Sequence, residues 1–187
     1  MIRFFHTFMK YSQKIKYNQM KRLLLSVFAL TIALSVSAQS DENLLVNEGD
    51  VVPDFKVTMF DGSVIDIKDL KGKVVLVNFW ATWCPHCVKE LDVAQKEIID
   101  RFKDKNFVFL PISREDPIEK IEQFRKDKGF TFPMGTDFKR EIYSKFAKQT
   151  IPRNFLVDEN GKIVYVKTGF NEELLAELIA AIEKYVK

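Results

Sequence analysis

Cys84 and Cys87 stand three residues apart in Trp83-Cys84-Pro85-His86-Cys87, and they are the only cysteines of the chain. Two thiols at that spacing share one face of a helix and can close into a disulfide and open again. Ahead of them, Val74 to Val77 is an unbroken apolar run of the kind a strand buried on both faces shows. An amphipathic stretch follows them. The pattern predicts a strand, a short turn and a helix that begins at Cys84, with Pro85 in the first turn, where proline is favoured. Unpaired amides and the positive end of the helix dipole then face the Cys84 sulfur and favour thiolate over thiol. Cys84 is the candidate nucleophile toward a partner disulfide, and Cys87 the thiol that resolves the mixed disulfide. A loop this small removes little chain entropy, so the pair is a poor structural staple.

The neighbours add chemistry. Apart from His6 near the start of the chain, His86 is the only histidine, and as a cation it would further favour the Cys84 thiolate. Its plain alternative is a solvated side chain. Glu90 follows Cys87 by three residues; partly buried on that face, its carboxylate could take or give the Cys87 proton. The alternative is an ordinary solvated helix glutamate. Trp83 is placed to shield the sulfur and offer partners a flat contact, or simply to pack; Trp80 reads as packing. A structural zinc site needs about four ligands, more than two thiols and one imidazole supply. Val88, not histidine, follows Cys87, which breaks the haem-attachment pattern. No resident metal or cofactor is expected.

Residues 1–38 read as an N-terminal extension and secretory signal: Met20-Lys21-Arg22, an apolar Leu23 to Val36, then Val36-Ser37-Ala38 with small residues for cleavage. The apolar part is short for a membrane span, although an uncleaved anchor is the alternative, and Met20 is a candidate start. Removing the six basic residues of this segment from 29 leaves 23 against 26 acids, a net charge of about −3. No basic surface survives to suggest nucleic acid as partner.

Residues 39–52 read as a polar linker, and 53–187 as one domain. Phe55–Phe60 and Ser63–Ile67 around Asp61-Gly62 predict a hairpin. The cysteine helix is expected from 84 to about 103. Pro111 within Phe107–Ile112 argues for a strand near the sheet edge. Asp116-Pro117-Ile118-Glu119 signals a helix capped by Asp116 and ended by Gly129. Asp137 is a candidate cap for a short helix with Phe138, Ile142, Tyr143 and Phe146 inward. Strands Asn154–Val157 and Ile163–Val166 follow, then a helix opened by Asn171 with Leu174, Leu175, Leu178, Ile179 and Ile182 as its stripe. The alternation predicts an α/β sheet with helices on both faces.

The stretch Asn78-Phe79-Trp80-Ala81-Thr82-Trp83-Cys84-Pro85-His86-Cys87 resembles the thioredoxin superfamily. With Pro53-Asp54-Phe55, Leu70-Lys71-Gly72-Lys73, Thr150-Ile151-Pro152 and Val157-Asp158-Glu159-Asn160-Gly161-Lys162-Ile163 in order, it looks like the exported TlpA/ResA-like branch. The resemblance covers about residues 50–187. It implies a central mixed sheet flanked by helices with an N-terminal β-hairpin, and a cis proline at Pro152 facing the cysteines. Ile151 would present backbone to the substrate, and a glutamate at the Glu90 position would lie near the active site. Two positions depart from the pattern. Asn78 stands where thioredoxins carry a titrating aspartate, so that role is absent or moves to Glu90. Asp92 stands where relatives have a helix-kinking proline.

The activity implied is exported thiol–disulfide oxidation–reduction with protein thiols and disulfides as partners. The branch suggests a periplasmic reductant, in cytochrome c-type biogenesis or thiol maintenance, fed by a membrane electron donor; Pro85-His86 is similar to strongly oxidising relatives and pulls the other way. Two alternatives are a peroxiredoxin-like thiol peroxidase, which the cysteine spacing opposes, and a metal-binding thiol module.

Overall fold

Among the described residues, valines, leucines and aromatics in short runs build seven strands: β1 (Lys56–Met59), β2 (Val64–Asp66), β3 (Val74–Trp80), β4 (Phe107–Arg114), β5 (Gly135–Asp137), β6 (Arg153–Val157) and β7 (Ile163–Thr168). Three longer helices accompany them there: α1 (Pro85–Ala94), α2 (Ile118–Lys128) and α3 (Glu172–Tyr185). This computed structural model describes residues 41–187. The signal-peptide reading of residues 1–38 therefore lies outside the described residues.

The strands form one sheet in the order β2-β1-β5-β4-β3-β6-β7. β3 pairs parallel with β4 and antiparallel with β6. All seven of its residues are buried, as expected for a strand covered on both faces. The expected hairpin is β1–β2, and β1 joins the sheet through β5. Gly135 makes that junction possible, because a Cβ there would lie 2.4 Å from Val57 Cγ2. Three residues long, β5 carries too little pattern to be read from sequence.

Alternate residues of β3 feed two cores. Leu76 and Trp80 pack with Leu91 and Ile98, with Ile121 of α2, and with Leu178 and Ile182 of α3. Val75, Val77 and Phe79 pack with Phe55, Tyr143, Phe146 and Phe155. Each such side chain contributes about 1.5–3 kcal/mol of burial. The expectation of helices on both faces is corrected here. All three longer helices serve the first core, and the second is covered by the N-terminal segments and two short 3₁₀ turns, Ile67–Leu70 and Tyr143–Lys145.

Other expectations change too. β4 lies inside the sheet despite Pro111. β5 begins pairing only at Ile112, so no strand flanks that side of β4 at the proline. The cysteine helix is not uniform: after Ala94 it widens into a π turn, Gln95–Ile99, before a last turn at Asp100–Phe102. Asp92 is not the irregular point; its carboxylate pairs with Lys128 Nζ at 3.1 Å. Phe138 points outward at 58% exposure, whereas Ile142, Tyr143 and Phe146 are buried. Asp137 does hold that turn, accepting from the Ile142 and Tyr143 amides. Residues 43–52 are tied to the sheet and its neighbours: the Gly49 amide donates to Ile163 O, and the Leu45 amide to Phe146 O.

Candidate active site

Cys84 is the N-cap of α1, in extended backbone, with Pro85 in the first turn. Its Sγ accepts the Cys87 amide at 3.2 Å, so one orphan N–H of the helix start meets this sulfur, as the sequence pattern requires. Cys84 and Cys87 are joined as a disulfide. Cys84 keeps a sliver of exposure, 6%, and Cys87 none. The arrangement gives one sulfur an approach from outside and seals the other in the first core.

Ile151-Pro152 is a cis peptide, and the Ile151 carbonyl oxygen lies 3.8 Å from Cys84 Sγ. The loop before it is held from below. Tyr143 Oη is 2.6 Å from both Gln149 O and Thr150 O, and Arg153 Nη2 donates to Gln149 O at 3.0 Å. Thr150 has a positive φ of 77°, a conformation that these anchors must maintain. Trp83 is 53% exposed, with the Arg114 guanidinium 5.7 Å from its ring. The same guanidinium lies 5.0 Å from the Tyr143 ring. Trp83 is thus an outward plate backed by a cation and not a core residue. Trp80 is fully buried, as expected. Pro85 and His86 are exposed at the helix start.

Beneath the disulfide, Glu90 is 3% exposed. It sits one helical turn from Cys87, on the same inward face. Its Oε2 accepts from Asn78 Nδ2 at 2.9 Å and its Oε1 from Asn154 Nδ2 at 2.6 Å. Asn78 Nδ2 also donates to Asn154 Oδ1 at 2.9 Å. Burial pushes the Glu90 carboxyl up to about 7, against the two amide hydrogen bonds, which pull it down. Such a group holds or releases a proton near neutrality.

Sequence reading missed two members of the site. Asn154 appeared only as the start of a strand; the available signal was a polar residue beside a buried apolar run. Asp116 was read as a helix cap, but the N-cap of α2 is Pro117 and Asp116 has another task. Its carboxylate is 1% exposed and accepts from the Thr82 amide, Thr82 Oγ1, Ser113 Oγ and Lys120 Nζ, at 2.7, 3.0, 2.7 and 2.7 Å. It fastens the turn that presents Trp83 and Cys84 to the end of β4. Among the described residues, no group of three or more histidine, cysteine or acidic side chains is placed to hold a metal ion.

Residues 47–182 match the family model described as Redoxin. A relative named thiol-disulfide oxidoreductase ResA, from Bacillus thuringiensis (strain Al Hakam), is 34% identical over 116 residues, spanning 62% of this chain and 66% of that protein. Its namesake in Bacillus subtilis (strain 168) is 30% identical over 147 residues, 79% of this chain and 80% of that one. Among solved structures, a Bacteroides thetaiotaomicron protein proposed to be a protein disulfide isomerase superposes with a TM-score of 0.73. It is 37% identical, covering 76% of this chain and 92% of its own.

Proposed function

The chain belongs to the redoxin family of the thioredoxin superfamily and is a thiol–disulfide oxidoreductase; from that premise we propose that it is an exported reductant of protein disulfides. The carrying observation is the asymmetry of its two sulfurs, Cys84 at a helix start with an outside approach and Cys87 sealed beside a buried carboxyl. The Cys84 thiolate attacks one sulfur of a partner disulfide. That S–S bond breaks, a Cys84–partner disulfide forms, and the other partner sulfur leaves as a thiolate that takes a proton. Cys87 then gives its proton to Glu90 and, as a thiolate, attacks Cys84 Sγ; the Cys84–partner bond breaks and the second partner sulfur leaves as a thiolate that takes a proton. Two electrons have passed to the partner, and the Cys84–Cys87 disulfide remains. The Ile151 carbonyl beside Cys84, ahead of cis Pro152, offers backbone along which an extended partner segment can lie, with Trp83 as its flat contact and Pro85 and His86 on the rim.

Export follows from the signal pattern of residues 1–38, which divides the chain into that segment, residues 39–52 and a redox domain over 53–187. Outside the cytosol a dithiol must be re-reduced across a membrane, so the electron donor is a membrane-held dithiol protein. Work in the periplasm on haem-attachment cysteines in cytochrome c assembly, or on other exported thiols, fits this direction.

Two measurements test the reading. Cys84→Ser abolishes exchange and Cys87→Ser accumulates a mixed disulfide with the partner, resolved on non-reducing gels; full turnover of Cys84→Ser would overturn the nucleophile assignment. Equilibration with glutathione gives a potential near that of thioredoxin, about −270 mV, if the protein is a reductant; a value near about −120 mV makes it an oxidant.

A further inference from the structure

The hydrogen bonds around Glu90 converge on its carboxylate, and within the trio only Asn78 Oδ1 is left buried without a partner. Both carboxyl oxygens accept, one from each asparagine. Asn78 spends both protons of its amide, on Glu90 and on Asn154 Oδ1. Turning Asn78 over would set its oxygen against Asn154 Oδ1, and turning Asn154 over would set two NH₂ groups face to face. A proton added to either Glu90 oxygen therefore points at an N–H donor, and no single amide rotation accepts it without a new clash. Three buried polar groups joined in this way accommodate the anion and frustrate the acid.

We propose that Asn154, with Asn78, is a positioning residue that selects the ionised form of Glu90 and thereby sets the pH at which the Cys87 proton is taken up. This rests on reading Glu90 as the proton partner of Cys87. Neither asparagine touches sulfur; each acts through the carboxylate. Burial alone drives Glu90 toward the acid, and the amides bring it back to about 7. Other groups facing it are few. On α1 the neighbour is the Cys87 sulfur, now in the disulfide. From β7, the Tyr165 hydroxyl, itself held up by burial and by the negative charges of Glu177, Glu48 and Glu90, stays neutral. Lys167, opposite Asn154 in register, is engaged with Glu177 of α3 at 2.8 Å.

The test is a pH titration of the Glu90 carboxyl band by difference infrared spectroscopy on the full oxidised protein, where no thiol titrates, with Glu90→Gln identifying the band. Losing a hydrogen bond to a charged group moves the Asn154→Val midpoint upward by about one to two pH units. Asn154→Thr has the same shape but keeps a hydroxyl donor, and recovers part of the displacement if that hydroxyl reaches Glu90. A wild-type midpoint in Asn154→Val overturns the proposal. Should that variant not fold, Asn78→Val removes the other donor and is read the same way. The underlying reading fails separately. If Glu90→Gln leaves the pH profile of turnover untouched while the band still moves in Asn154→Val, Glu90 is not the proton partner and the asparagine clamp stands.

Discussion

At the scale of single residues, Glu90 is the costly one. An unfolded glutamate ionises near 4.5 and this one near 7. Between those pH values the unfolded chain has released its proton and the folded one has not, so stability falls as pH rises through that window and levels off above about 8. The gap of about 2.5 pH units corresponds to about 3 kcal/mol, at about 1.4 kcal/mol each. Glu90→Gln removes this slope. Urea unfolding of oxidised wild type and Glu90→Gln at pH 5 and pH 8 should show the wild type losing about 2–3 kcal/mol relative to the variant over that interval, part of the total having gone already below pH 5; parallel behaviour would mean the carboxyl is not held as described. A carboxyl kept at such expense is what the proposed proton transfer from Cys87 calls for.

At the scale of elements, the turn from β3 into α1 is held from elsewhere in the chain. Asp116 lies 34 residues beyond Thr82, yet its carboxylate fixes that turn, the end of β4 and Lys120 of α2 together. Asp116→Ala leaves a buried amide and hydroxyl without their acceptor and should cost about 2–4 kcal/mol near neutral pH by urea unfolding. Burial pushes the Asp116 carboxyl up, but the Lys120 ammonium, the Thr82 amide and the two hydroxyls outweigh it and hold it below the usual range. Its ionic contribution is therefore complete above about pH 4 and drains away below, so the gap between variant and wild type should narrow in acid. This element also shows where sequence reading stops. The helix start at Cys84, the Asn171 cap and the stripe of α3 were legible because their signals are local. The placement of Glu90 on the Cys87 face was legible through its spacing from Cys87. Asp116 and Asn154 were not, because each owes its role to partners 34 and 64–76 residues away. Pro111 misled for the same reason, since where β5 starts is a property of the sheet.

At the scale of the whole molecule, the disulfide and the fold are linked by a cycle. Oxidised and reduced chains can each unfold, and the difference in their stabilities equals the preference of the folded state for the disulfide over that of the unfolded chain. In strongly oxidising relatives the reduced form is the more stable, which makes the disulfide eager to leave. A reductant requires the reverse. Here the oxidised pair sits with Cys87 fully enclosed in the core that β3 shares with α1, α2 and α3. Reduction leaves a second thiol in that enclosure and a thiolate at the helix start. The helix dipole and the Cys87 amide favour that thiolate, so the reduced protein is itself sound, but the reductant reading demands that the oxidised protein be sounder. Urea unfolding at pH 7 with and without a dithiol should therefore give the oxidised protein the larger free energy, each 1.4 kcal/mol of difference corresponding to about 30 mV of potential. If the reduced protein proves more stable, the electrons run the other way and the molecule installs disulfides in its partners.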